Sequence, residues 1–196
     1  EQGKCKRRKA RWAGTLHAVL RWKCGGGVFG ENAKCMYALC NYSLAPKRTR
    51  DQARTVQTIM DINGFIARYP QSDQSGNFRK INEELNGRLH EKAYLNAYTY
   101  YKIGRYKSAI TALKNALKEY PESKHREEIM YLIVDASYRF ASNSIASKQT
   151  DRYLAMLDSY LSFKEEYPKS KHIKEVDRMA KQARDYLDRN NKDNNI

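Results

Sequence analysis

Four histidines and four cysteines are the residues best suited to chemistry in this chain, and their spacing supports none. His17 and His90 stand alone. His125 and His172 end two similar stretches, Tyr120-Pro121-Glu122-Ser123-Lys124-His125 and Tyr167-Pro168-Lys169-Ser170-Lys171-His172. A shared register in two copies reads as a repeated structural role in a helix's first turn, not as a metal pair. There is no His-Glu-x-x-His, no Gly-x-Ser-x-Gly and no paired-carboxylate motif. Gly25-Gly26-Gly27-Val28-Phe29-Gly30 is glycine-rich, but it follows a helical pattern and lacks the Lys-Ser/Thr of a phosphate loop. Cys5, Cys24, Cys35 and Cys40 do not form the two close pairs of a zinc site. Cys5 and Cys24 would sit roughly 28 Å apart on one helix and cannot pair. Cys40 shares an apolar face with Met36 and Leu44 and reads as a buried free thiol; a Cys24–Cys35 bridge across the glycine turn stays open. The expectation is a chain with no catalytic site, no metal and no cofactor.

A binding surface is better supported. The chain has 15 tyrosines. With positions 93, 97 and 100 in the core, Tyr94, Tyr98, Tyr101 and Lys102 point away on a helix. Tyr131, Asp135 and Tyr138 repeat an i, i+4, i+7 stripe on a later one. Tyrosine offers large amphipathic area with little rotamer entropy to lose, which suits peptide or domain recognition. The competing reading is that these rings pack against a neighbouring repeat.

Charge gives a second candidate. Residues 1–50 hold twelve Lys or Arg against Glu1 and Glu31, so +10 of the net +15 lies there. Lys6, Arg7, Arg8, Lys9 and Arg11 form its densest part. Such a block fits an anionic neighbour (lipid headgroups, nucleic acid or an acidic protein face) or a solvated end with no partner. The chain opens on Glu1 and directly on a basic helical pattern. Any export signal or lipid anchor is therefore expected upstream.

The elements that position these residues follow from punctuation. Tyr69-Pro70-Gln71-Ser72-Asp73 is a weaker third copy of the Tyr-Pro stretches, and the prolines lie 51 and 47 residues apart. Proline pushes the preceding residue out of the helical region, and the Ser that follows can cap the next helix. Between these breaks the apolar periodicity predicts helices over 4–24, 31–44, 51–69, 76–103, 106–120, 124–142, 151–167 and 171–189, with a polar tail at 190–196. Expected core positions include Met36, Val56, Ile59, Met60, Ile62 and Ile66. Tyr100, Leu113, Ala116, Leu154, Leu157 and Leu161 join them. Gly64 is a weak point inside its helix. No segment alternates as a strand does. The fold class is all-α: stacked antiparallel helix pairs in one repeat domain over 1–189. Its units are 1–30 (partial), 31–70, 76–121 and 124–168, with 171–189 as a capping helix.

Residues 90–123 resemble one tetratricopeptide unit. Tyr100, Gly104, Tyr106, Ala109, Leu113, Ala116 and Pro121 all stand in the family's register, while Ala93, Asn96 and Ala97 replace its usual Trp, Leu and Gly. Over 31–189 the chain resembles the BamD family, tetratricopeptide lipoproteins of the outer-membrane β-barrel assembly machinery. That resemblance rests on Met36-Tyr37-Ala38-Leu39-Cys40-Asn41-Tyr42-Ser43-Leu44 and on Phe65-Ile66-Ala67-Arg68-Tyr69-Pro70-Gln71-Ser72-Asp73. Leu89-His90-Glu91-Lys92-Ala93 and the two Tyr-Pro-x-Ser-Lys segments complete it. It implies a non-enzymatic periplasmic scaffold at the outer membrane. Its C-terminal repeats would dock a BamA-like barrel protein through that protein's periplasmic domains, and its N-terminal repeats would meet unfolded outer-membrane substrates. Tyr-Pro-x-Ser turns also occur in Tol–Pal-associated tetratricopeptide adaptors, so another envelope adaptor is an alternative. A basic helical module binding nucleic acid through 4–23 is a third reading, which the absence of a known reader motif disfavours.

Overall fold

A computed structural model describes residues 28–47 and 49–193. Seven helices, and no strand, are found among them: α1 Val28–Leu44, α2 Ala53–Arg68, α3 Ser75–Lys102, α4 Tyr106–Glu119, α5 Arg126–Ser142, α6 Ala146–Glu166 and α7 Ile173–Asp193. The all-α, tetratricopeptide-like class read from the sequence is thus the observed one. The chain divides into two compact units, residues 1–89 and 90–196, with the division inside α3.

The Tyr-Pro stretches end helices in the same way three times. Tyr69, Tyr120 and Tyr167 take nearly identical dihedrals (φ −129, −131 and −129°; ψ 63, 70 and 62°). Each keeps one last helical bond, to the carbonyl of Phe65, Ala116 or Phe163 at 2.8 to 2.9 Å. The next turn closes from the amide of Ser72, Ser123 or Ser170 to the tyrosine carbonyl, at 3.1 Å in every copy. The serine does not cap the following helix as expected. Its hydroxyl instead accepts the amide two residues on, that of Gln74 (3.3 Å), His125 (3.3 Å) or His172 (3.1 Å). This is a local Ser turn, which pins the bend before the next helix starts.

In the first unit α1 packs on α2. Ala38, Ile62, Phe65, Phe78, Ile81 and Leu85 are buried together, and the Phe65 and Phe78 rings lie 4.8 Å apart. Val56 and Met60, expected inside, are 39% and 60% exposed, and Met36 is 57% exposed. Thr55 and Thr58 take the inner face of α2 instead. Their hydroxyls are satisfied locally, by Gln52 Oε1 at 2.6 Å and by the Arg54 carbonyl at 2.8 Å, so burying them leaves no orphaned donor. Cys40 is a free thiol as expected, but it is only half-buried.

In the second unit α5 packs on α4 and α6, and α7 packs on α6 and α5. One cluster joins Ala97, Leu113, Ala116, Ile129, Leu132 and Ile133. Another joins Met130, Val134, Tyr153, Met156, Tyr160, Phe163, Val176, Met179, Ala180 and Ala183. Here α6 starts at Ala146, earlier than the expected 151, so only Asn143–Ile145 connects it to α5. Its buried stripe is Tyr153, Met156, Tyr160 and Phe163. Leu154 and Leu161, one residue over, are 49% and 55% exposed. The aromatic and methionine side chains span the gap to α7, and the leucines are left outside. The last helix continues past 189 to Asp193.

Candidate functional site

The tyrosines singled out by the sequence lie in the second unit, along the edges where α3, α5 and α7 follow one another. Position 100, assigned to the core, is 45% exposed, whereas Ala97 is buried and Tyr101 is half-buried. Ala93 and Ala97 thus face the core as expected, and the departure is confined to position 100, whose place is taken by Tyr101.

Two of these contacts repeat from helix to helix. The Tyr94 ring stacks on His125 (4.5 Å, 6° between planes), and the Tyr131 ring stacks on His172 (3.9 Å, 16°). Tyr94 has Glu128 as its acidic neighbour, and the Tyr131 hydroxyl donates to Glu175 Oε2 at 2.9 Å. One helical step of seven residues further, the Tyr101 hydroxyl donates to Asp135 Oδ2 and the Tyr138 hydroxyl to Gln182 Oε1 at 2.8 Å. Each first helix thus presents two tyrosines. The helix after next answers with a histidine, then an acceptor three residues later, then another seven after that. Arg139 closes the first copy: its Nε donates to Asp135 Oδ2 at 2.7 Å, and its guanidinium lies 5.9 Å from the Tyr101 ring centre.

The electrostatics agree with a locked seam. Burial, reinforced by an acidic neighbour in each case, raises the phenols of Tyr94, Tyr101 and Tyr131 well above their ordinary range. The bond to Asp135 raises Arg139 further above its already high value. Asp135 is only 1% exposed, and its Oδ1 is buried with no hydrogen-bond partner. It is part of the helix packing and does not face a partner directly.

Tyr98 and Lys102 differ. Tyr98 stacks between Tyr94 (5.7 Å) and Tyr101 (6.0 Å), and Lys102 Nζ lies 5.1 Å over its ring. Lys102 is exposed and Tyr98 half-exposed. Of the seven expected groove residues Lys102 is the exposed one, and Tyr98, half-buried like Tyr94, Tyr101, Tyr131 and Tyr138, lies beneath its ammonium group. His125 and His172, read from the sequence as a repeated structural pair, belong to the seam, and Glu128, Glu175, Arg139 and Gln182, which were not singled out, complete it. The 47-residue spacing of His125 to His172 equals that of the prolines, and Glu128 to Glu175 and Asp135 to Gln182 repeat it. That spacing was the available signal. Lys6, Arg7, Arg8, Lys9 and Arg11 lie outside the described residues. Among the described residues no group of three His, Cys, Asp or Glu is placed to hold a metal ion, and no helix is long and apolar enough to cross a membrane.

Comparison with known proteins gives two matches. The model of a family described as "YfiO: Outer membrane lipoprotein" matches residues 82–192. The outer membrane protein assembly factor BamD of Caulobacter vibrioides is 24% identical over 123 residues, which is 63% of this chain and 40% of that protein. The matched stretch thus spans about two fifths of the relative's length.

Proposed function

The chain belongs to the YfiO family of outer membrane lipoproteins, and from that premise we propose that it is a non-enzymatic scaffold for outer-membrane protein assembly. The observation that carries this is the family match over 82–192, which contains the whole tyrosine seam. The relative from Caulobacter is named as an assembly factor. A scaffold needs a fixed relation between neighbouring helices, and the paired Tyr–His stacks and Tyr–acid bonds supply it. In this reading the protein works at the periplasmic face of the outer membrane. It binds a BamA-like barrel protein through that protein's periplasmic domains and meets unfolded barrel substrates, with Tyr98 and Lys102 as its contact pair. Nucleic acid is not a partner. The N-terminal block of Lys6, Arg7, Arg8, Lys9 and Arg11 adds contact with anionic headgroups.

The test is affinity capture of the tagged full-length protein from envelope fractions of its own cells, read by mass spectrometry. Recovery of a large barrel protein with periplasmic repeat domains is expected. Capture of cytosolic partners or nucleic acid, with nothing from the envelope, overturns the reading.

A further inference from the structure

The two short hairpin turns of the second unit lie on one edge. Arg139, near the end of α5, has its guanidinium 5.9 Å from the ring of Tyr101 at the end of α3, and that ring lies 6.1 Å from the ring of Tyr106 at the start of α4. The α5–α6 turn is therefore beside the α3–α4 turn, and the Tyr-Pro turns lie at the opposite edge. Each short turn carries an isoleucine at its tip: Ile103 is 63% exposed and Ile145 66%. The turns themselves are free of acid, since no Asp or Glu occurs in 92–118 or in 136–150, and the next acid after Lys148 is exposed Asp151, three residues on. Arg105, Lys107 and Lys148 stand exposed beside the tips. The opposite edge is different, with Glu119, Glu122, Glu127 and Glu128 around one Tyr-Pro turn and Glu165 and Glu166 before the other. The end of α7 brings Asp185 and Asp188 towards the isoleucine edge, but with Arg184 and Arg189 among them.

We propose that this edge is a membrane-docking surface, with Ile103 and Ile145 entering an anionic bilayer and Arg105, Lys107 and Lys148 meeting its headgroups. A protein interface would call for a contiguous, well-packed apolar centre. Two separate aliphatic tips at loop apices, with cations beside them, match the layered chemistry of a lipid surface: acyl chains below, phosphates above. The surface adjoins the Tyr98–Lys102 pair, since Ile103 follows Lys102 in the chain, but it uses other side chains; its test reads lipid contact alone, so it can stand or fall apart from the scaffold reading.

The chain has only two tryptophans, Trp12 and Trp22. In the full-length protein with both changed to Phe, a single reporter is placed by Ile103→Trp, Ile145→Trp or, on the opposite edge, Glu122→Trp. Vesicles of phosphatidylcholine and phosphatidylglycerol with brominated acyl chains are then added. Emission from positions 103 and 145 shifts to the blue and is quenched, and emission from position 122 is not. In the otherwise native chain, a triple variant Arg105→Glu, Lys107→Glu, Lys148→Glu weakens vesicle binding by on the order of a hundredfold, at roughly fivefold or more per cation. No quenching at 103 and 145, or equal quenching at 122, overturns the proposal. So does unchanged binding of the triple variant, which would leave the N-terminal basic block as the lipid contact. A blue shift that needs no vesicles and grows with protein concentration makes the edge a self-association surface and overturns it too.

Discussion

Asp135 is the most constrained side chain of the seam. A carboxylate with 1% exposure persists only if its charge is answered, and here Tyr101 and Arg139 both donate to Oδ2. Asp135→Ala leaves the Tyr101 hydroxyl and the Arg139 head without their acceptor. The expected cost is about 2 to 3 kcal/mol, read as a lower urea midpoint. The stacked pairs are worth less: His172→Ala is expected to cost about 1 kcal/mol. The phenols predict a pH dependence. Tyr94, Tyr101 and Tyr131 hold their protons more tightly folded than unfolded, and burial with the help of Glu119 pushes Tyr120 up to about 12. A raised phenol contributes its full stability below the unfolded value of 10.0 and loses it as pH rises through the folded one. The urea midpoint should therefore hold steady up to about pH 9 and fall beyond about pH 10. Tyr101→Phe should shallow that fall; an equal slope in the variant would contradict the assignment. The tyrosines were legible as a stripe and His125 and His172 as a repeated pair, but the hydroxyls' acceptors were not. Hydrophobic periodicity marks which residues leave solvent and carries no signal for a hydroxyl finding an acid on the helix after next.

Among the elements, the turns were read best. Proline and glycine act on the backbone locally, so Tyr69-Pro70, Tyr120-Pro121, Tyr167-Pro168 and Gly104 could be placed without knowing the packing. Gly104 has φ +74°, the left-handed conformation that only glycine adopts freely. Gly104→Ala should cost about 1 to 2 kcal/mol although nothing crowds the site. Gly64 is the opposite case. It is exposed inside α2, and an added Cβ meets nothing within 4 Å. Gly64→Ala should stabilise by roughly 0.5 to 1 kcal/mol, and thermal melts of the two variants should shift in opposite directions. The buried faces were read less well. Leu154, Leu161, Val56 and Met60 are apolar yet exposed, while Thr55, Thr58 and Asp135 are polar yet buried. For Thr55, Thr58 and Asp135 a local or cross-helix hydrogen bond offset the cost of burying a polar group. On α3 the departure is confined to one position, where Tyr101 and not Tyr100 turns inward.

At the scale of the molecule, the repeat spacing, the sign of the charge and the family were all present in the sequence, because they are sums over many residues. The family match over 82–192 agrees with the resemblance read from the motifs. What the sums do not carry is the partner, since a scaffold's specificity resides in a few exposed side chains. The most direct test of the assembly role is therefore made in the cell. The protein is depleted from its own cells, and the folded fraction of outer-membrane β-barrel proteins is followed on unheated gels, where folded barrels migrate apart from unfolded ones. Loss of folded barrels, restored by the full-length chain, is the predicted result. Undiminished barrel folding after complete depletion would contradict the assembly role and leave the helical fold and its family standing without it.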